Sequence, residues 1–527
     1  MSGSPTELTM HRAKITGIDS EFLYRVSIDS CVADRTRVYA MAVEKEYRVL
    51  DAVLRSDDGG ETWRLTKPYY ASDSGVHPKG TLLRSDLMGD ERAGGSMHRL
   101  KVSPVNPNTL TVSGLWGYIS RDAGDTWYPL ADRPLSGVKS LHSDVHEVDF
   151  DPNDSTGKSL VFASDGGVAT STDLGNSWTD LNETYASLQL YGTIGRGFYG
   201  CGAISPEVYG DGTQDNGNVY TVLTGSLDPW KHLDDGDGGQ WHTFRLGGFI
   251  RANSTSNADT IWRGTWNPDK RVVEQRIEIP VRIGGRDVTG TIKGLIAANV
   301  ISPAHRNEKG QMMYTVGAIG GRVHGLFAND DGSDLHWEKL SEWVAPRDQI
   351  VSAVGSFTGK KICLGTFGPQ DAQLYMVDTE TGSVSPMGLL PKGVRPESSY
   401  DVDAKARVHR FIVLSDESAF ALFSSYRPNS ACLLRTTDGG ETWEKILGPS
   451  QNLSSVELDR TTDTFYVCDA EHVWLSRNKG KTWIRASLGL PEHCQGNDLR
   501  FVAQADGKNF LYLATYGWSL WRVQTNP

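Results

Sequence analysis

The chain has 527 residues, and its 65 Asp and Glu outnumber its 53 Lys and Arg to leave a formal net charge of −12. That balance argues against nucleic acid as a partner, because a phosphate backbone needs a basic face, and it suits neutral or cationic ligands better. No run of about twenty apolar residues occurs, so no membrane span is expected.

The first residues, MSGSPTELTMHRAKITG, lack the apolar core of a signal peptide. As written this reads as a cytoplasmic protein, or as a secreted one if a leader has been removed. Six cysteines lie far apart with no CxxC pair, which predicts buried or free thiols rather than a disulfide framework or zinc site. Sequons at Asn153, Asn182, Asn253 and Asn452 matter only in a eukaryotic secretory route.

In chain order, short β-rich runs punctuated by Trp and Gly follow one another without a long amphipathic helical period, which predicts an all-β fold. The first clear unit is AVLRSDDGGETWRLT, whose pattern Ser/Thr-x-Asp-x-Gly-x-Thr/Ser-Trp at 56–63 returns at 120–127, 171–178, 436–443 and 476–483. The last copy carries Asn478 where the others have Asp58, Asp122, Asp173 and Asp438, and the closing residues are Trp63, Trp127, Trp178, Trp443 and Trp483. Apolar runs flank each copy, as expected for a hairpin. Asp can accept backbone N–H groups of its own turn, Gly supplies a left-handed residue, and Trp covers the hairpin with a large apolar plate. These acids are therefore expected to be structural.

The pattern resembles the Asp-box of sialidase-type and BNR-repeat β-propellers, where it joins the third and fourth strands of a blade. The resemblance implies one β-propeller over residues 1–527 with about ten blades of about fifty residues, and nine blades or two smaller rings as alternatives. Blades would end at Trp63, Trp127, Trp178, Trp230, the run RVVEQRIEIPV, Trp337, SVSPMG, Trp443 and Trp483. A last set, LRFVAQADGKNFLYLATYGWSLWRV, lacks one strand, which HRAKITGI near the N-terminus could supply to close the ring. Two insertions break the rhythm: 67–97, expected to be a lid or rim loop, and 269–293, expected to hold a hairpin with Gly284 and Gly285 at its tip.

With the repeated turns at one end of each blade, the loops between second and third strands and the blade-to-blade connections lie at the other. That end collects Met97-His98-Arg99, His142-Ser143-Asp144-Val145-His146, Ser164-Asp165-Gly166-Gly167, Thr213-Gln214-Asp215-Asn216-Gly217 and Asp234 to Gly239. The His-x-Asp-x-His, Asp-Gly-Gly, Gln-Asp-Asn-Gly and Gly-Asp-Gly elements between 141 and 239 resemble, in this order, BNR-repeat proteins of glycosyl hydrolase type, which are related to the VPS10 (sortilin-type) propellers. Asp-Gly-Gly also resembles the catalytic-base stretch of xyloglucanase-type propellers. A sialidase arginine triad is missing, so sialic acid is not the expected substrate.

Glycosidic hydrolysis needs one protonated and one ionised carboxyl, and Asp165, Asp215 and Asp237 form the candidate pool, with turn capping as the competing role for the first two. Substrate-binding candidates are His98, Arg99, His142, Asp144, His146, Gln214 and Asn216, with aromatic platforms from Trp116, Trp266, Tyr426, Tyr516 and Trp518; packing between blades is the competing role for the aromatics. His142, Asp144 and His146 would share one side of a strand and could hold a divalent metal, though no cofactor is required. A glycoside hydrolase acting on an oligosaccharide or polysaccharide is the leading expectation. The alternatives are a non-catalytic sortilin-like propeller binding peptide or glycan, and a polysaccharide lyase with a His base.

Overall fold

The computed structural model describes residues 14–15, 23–45, 50–66, 69–70, 97–130, 141–182, 187–190, 203–204, 208–223, 230–233, 236–238, 241–244, 248–252, 261–291, 293–296, 306–307, 310–320, 323–330, 336–344, 350–358, 360–367, 373–387, 407–424, 431–446, 448–450, 452–487, 489–492, 494–503 and 506–525. Within them the strands form ten small sheets in chain order, built on antiparallel neighbours with short parallel additions at some edges. No α-helix occurs among the described residues. None of them forms a helix long and apolar enough to cross a membrane.

The chain divides into two compact units, Met1–Tyr185 and Ala186–Pro527. The first holds three sheets. Sheet one is Leu23–Ser30, Val38–Glu44, Leu50–Ser56 and Thr62–Leu65. Sheet two is Arg99–Val102, Leu110–Ser113, Gly117–Ser120 and Thr126–Pro129. Sheet three is Val145–Phe150, Leu160–Ser164, Gly167–Ser171 and Thr179–Asp180.

The second unit holds sheets four to ten, of which sheet four (Ala203–Ile204, Val208–Gly212, Asn216–Val222, Lys231–His232) and sheet ten (Gly496–Ala503, Asn509–Thr515, Leu520–Gln524) bear on function. Leu190, Tyr209 and Val219 share one core cluster with Val502, Tyr512 and Ala514, so the last sheet of this unit packs on its first. The N-terminal run does not take that place. Lys14 and Ile15 lie parallel to Thr62 and Trp63 on sheet one. At sheet ten the segment Ser187–Leu190 meets the end of the central strand instead, Gln189 bridging Tyr516 and the Leu190 N–H donating to the Thr515 carbonyl at 3.1 Å.

Of insertion 67–97, Tyr69–Tyr70 pairs in parallel with Thr126 and Trp127, and 71–96 lie outside the described residues. Segment 269–293 begins as part of sheet five, whose fourth strand is Val272–Glu278. Only then does it form a small hairpin, Ile283 pairing with Arg286 around Gly284 and Gly285.

All five repeated turns link the third and fourth strands of their sheets and share one hydrogen-bond pattern. The Asp or Asn oxygen accepts the backbone N–H four residues on, at 2.8–2.9 Å, in each copy. The opening Ser or Thr hydroxyl accepts the Gly N–H at 2.8–2.9 Å. The pattern also explains a cost: the residue before that Gly is left-handed even where it is Ala123, Leu174 or Lys479, each disfavoured there by about 1 kcal/mol.

The same Gly sits against the residue leaving the preceding sheet. A Cβ on Gly175 would lie 2.4 Å from Leu130, and one on Gly440 1.9 Å from Met387. The four later turns thus dock their sheets onto the preceding ones, whereas Gly60 meets only its own Trp63, and Trp127 is fully buried in the core shared by sheets one and two.

Candidate functional site

The residues gathered by the sequence fall into both units, and each cluster is described within its own. In the first unit, Val145 pairs with Ser164, so the start of the first strand of sheet three meets the two-residue Asp165-Gly166 turn between its second and third strands. Asp144 adopts a left-handed conformation, φ 57°. Its N–H donates to the Leu115 carbonyl at 2.9 Å, and that of Val145 to Gly114 at 2.8 Å, which anchors the segment on sheet two. Asp165 in turn donates its N–H to the Asp144 carbonyl, 3.3 Å.

At this end of the sheet His146 Nε2 lies 2.6 Å from Asp165 Oδ1, with side chains 54% and 30% exposed. The two form a solvent-accessible acid–base couple. Asp144 stands beside them. Burial raises its carboxyl above the ordinary carboxylate range and the nearby charge of Asp165 adds to the shift, while the Ser143 hydroxyl, donating at 3.0 Å, and the two imidazoles work the other way. The Asp144 carboxyl, shifted upward by burial, thus adjoins an Asp165 side chain in contact with an imidazole, an arrangement suited to proton transfer.

Two further residues hold the turn. His142 packs on Gly166, where a Cβ would fall 2.3 Å from the His142 Cβ, and His142 Nδ1 lies 2.8 Å from the Ser143 carbonyl. The Asn182 amide accepts the Val168 N–H and donates to the Gly166 carbonyl, both at 2.9 Å, clamping the hairpin that carries Asp165. The sequence showed Asn182 only as a sequon; its spacing after the Thr179–Asp180 strand was the sole sign that it returns to this turn.

The metal expectation is corrected. The left-handed Asp144 and a register shift between Val145 and Glu147 break the strand alternation that would align His142, Asp144 and His146. Among the described residues no group of three or more His, Cys, Asp or Glu could hold a metal ion.

His98 is corrected too. It is fully buried, its ring nitrogens make no well-formed hydrogen bond, and burial, with the charge of Arg25, pushes its imidazole down to about 4. Arg99 donates to the His98 carbonyl at 2.9 Å. Trp116 packs against the core of sheets one and two. Trp266, half-buried, stands edge-on to Tyr220 at 6.3 Å and packs against the core of Val208, Tyr220 and Trp241. Tyr426 lies outside the described residues.

In the second unit, the loop between the second and third strands of sheet four turns at Asp215, φ 59°, and Gly217, φ 68°. Gly236 and Asp237 run parallel to Asn216 and Gly217. Gly238 packs so closely that a Cβ would lie 2.2 Å from the Gly217 carbonyl. The backbones that carry Asp215 and Asp237 are therefore neighbours. Across from them the Tyr516 hydroxyl donates to the Gln214 side-chain oxygen, 302 residues away in sequence. The Gln214 N–H donates to the Gln189 carbonyl at 3.1 Å, so Gln189, which no motif marked, helps position this loop. Trp518 is 43% exposed.

No family model matches the chain, and no curated protein matches its sequence. Among solved structures it is similar to the extracellular domain of a putative one-component system from B. thetaiotaomicron, at 11% identity and a TM-score of 0.37 over 95% of this chain, which spans 58% of that one. An ancestral GH74 enzyme aligns over 95% of this chain and 92% of its own at 12% identity and a TM-score of 0.26. The GH74 xyloglucanase from Xanthomonas campestris aligns over 95% and 78% at 14% identity and a TM-score of 0.22. Likeness at this level leaves the chain's chemistry to be argued from its own residues.

Proposed function

We propose that the chain is a β-propeller that hydrolyses glycosidic bonds, with Asp144 and Asp165 as its working carboxyls. The observation that carries this is the exposed His146–Asp165 contact of 2.6 Å beside the half-buried Asp144, whose carboxyl burial shifts upward. Asp144 gives its proton to the leaving glycosidic oxygen. Asp165, kept in place by His146 and by the Asn182 clamp, takes the proton of the attacking water. Asp215 and Asp237, expected in the same acid pool, lie in the second unit.

The same contact favours one other reading, elimination on a uronic-acid glycan, in which His146 removes a proton and Asp165 orients the ring. A panel of neutral and acidic polysaccharides, followed for both reducing ends and absorbance of unsaturated products, separates the two. Reducing ends without absorbance support hydrolysis, and absorbance supports elimination. Binding without any turnover across the panel would sink both and leave a non-catalytic binding propeller.

A further inference from the structure

We propose that the Asp211 carboxyl is a pH-sensitive latch on the seam where the last sheet of the second unit packs on the first: neutral, it lets the seam stay shut, and ionised, it loosens it. The register fixes which way the side chain faces. Asp211 stands two residues beyond Tyr209 on one strand of sheet four and opposite Val219 on the next. Tyr209 and Val219 both belong to the core cluster that joins this sheet to Val502, Tyr512 and Ala514 of sheet ten. Asp211 therefore points into that seam, where its exposure is 0%.

Its surroundings there leave a charge unmatched. Asp211 Oδ2 accepts the Tyr209 hydroxyl at 2.7 Å and Oδ1 accepts the Gly212 N–H at 2.8 Å, both neutral donors. From sheet ten it feels the charges of Asp498 and Arg500, which pair with each other at 2.9 Å. Behind them Arg410, on Arg407–Val413 of sheet eight, reaches Asp498 at 3.6 Å and Glu457, on Ser455–Asp459 of sheet nine, at 2.9 Å. Two guanidiniums are thus met by two other acids. Asp211 is the third, and it forms no ion pair with any described residue.

A buried carboxylate without a cation is costly, so the neutral form suits the closed seam. Burial, with the charge of Asp498, accordingly holds Asp211 well above the ordinary carboxylate range, against the two donors and Arg500. Burial raises Tyr209 as well, so its hydroxyl stays a donor. The same seam is bonded by the Asn497 amide to the Leu190 carbonyl at 3.0 Å and by the Trp230 indole to the Ser519 hydroxyl at 3.1 Å. The loop that follows Gly212 carries Gln214 to the Tyr516 hydroxyl, so a loosened seam also releases that contact.

Opening lets water reach Asp211, whose value then falls back toward 3.8. Between the open and closed values each pH unit favours opening by up to about tenfold, so opening increases as pH rises. Hydrogen exchange of the full chain from about pH 5 to about pH 9, corrected for the intrinsic rate, reads this strand by strand. Amides of Val208–Gly212 and Gly496–Ala503 should lose protection by up to about tenfold per pH unit, and those of Lys361–Phe367 in sheet seven should not. Asp211→Asn, neutral at every pH, should flatten the dependence at the seam, and its melting temperature should gain on that of the unsubstituted chain as pH rises. Seam protection that ignores pH, that falls equally in sheet seven, or that falls as steeply in Asp211→Asn would overturn the proposal. Should Asp211→Asn fail to fold, the contrast between the seam and sheet seven in the unsubstituted chain decides alone.

Discussion

The strand Gly167–Ser171 has a turn that carries an Asp and a Gly at each end, and the two behave differently. At one end Asp173 is absorbed by its own turn: the Ser177 hydroxyl and N–H, with the Ser171 hydroxyl, hold its carboxyl down at about 2. At the other, the Asp165 carboxylate meets an imidazole from a different strand, and its turn is held by Asn182 and His142. Residue type alone does not separate a structural acid from a chemical one. Asp173 is bonded by hydroxyls and an N–H within four residues, whereas Asp165 meets His146 from another strand.

The largest expected effect breaks or keeps that contrast directly. Asp165→Asn should lower kcat by about 10²–10⁴-fold with an unchanged melting temperature. Asp173→Ala should lower the melting temperature and leave kcat alone, whereas Asp173→Asn should be mild, because Asn478 already makes the same bond at 2.9 Å. Equal kinetic losses at Asp165 and Asp173 would erase the distinction.

Next comes the plate over the structural turns. Trp127→Ala removes a fully buried indole and should cost about 3–5 kcal/mol in denaturant unfolding, with Trp63→Ala, only half-buried, costing less. Normal unfolding with lost turnover in Trp127→Ala would mean that the two ends have been assigned the wrong way round.

A smaller change is expected from Asn182→Ala, which leaves Asp165 in place but frees its hairpin. Activity should fall about tenfold, through kcat rather than KM, and the pH profile should broaden. An unchanged profile would reduce Asn182 to a structural link.

The smallest effect is the acid limb of stability. Asp58, Asp173 and Asp438 are all held at about 2, against an ordinary value of 3.8, chiefly by the hydroxyl four residues on. Their folded values lie below the unfolded one, so the stability they contribute is present above pH 3.8 and is lost as pH falls toward 2. Replacing Asp173 and Asp438 by Asn should flatten the melting-temperature curve there. Asp144 has the opposite sign: its raised value favours the fold at low pH, and that contribution fades as pH rises.

The repeated turns were legible because every bond that defines them spans four residues or fewer, so the motif carries its own partners. The sheets that follow them were legible for a related reason, since antiparallel neighbours are consecutive in the chain. By itself, then, the sequence determined the all-β class and the five turns. Only the tertiary structure decided that His98 is buried, that a left-handed Asp144 breaks the supposed metal face, that Lys14–Ile15 joins sheet one, and that Tyr516 meets Gln214. Those outcomes depend on packing and hydrogen bonds between segments tens to hundreds of residues apart, for which no local spacing carries a signal.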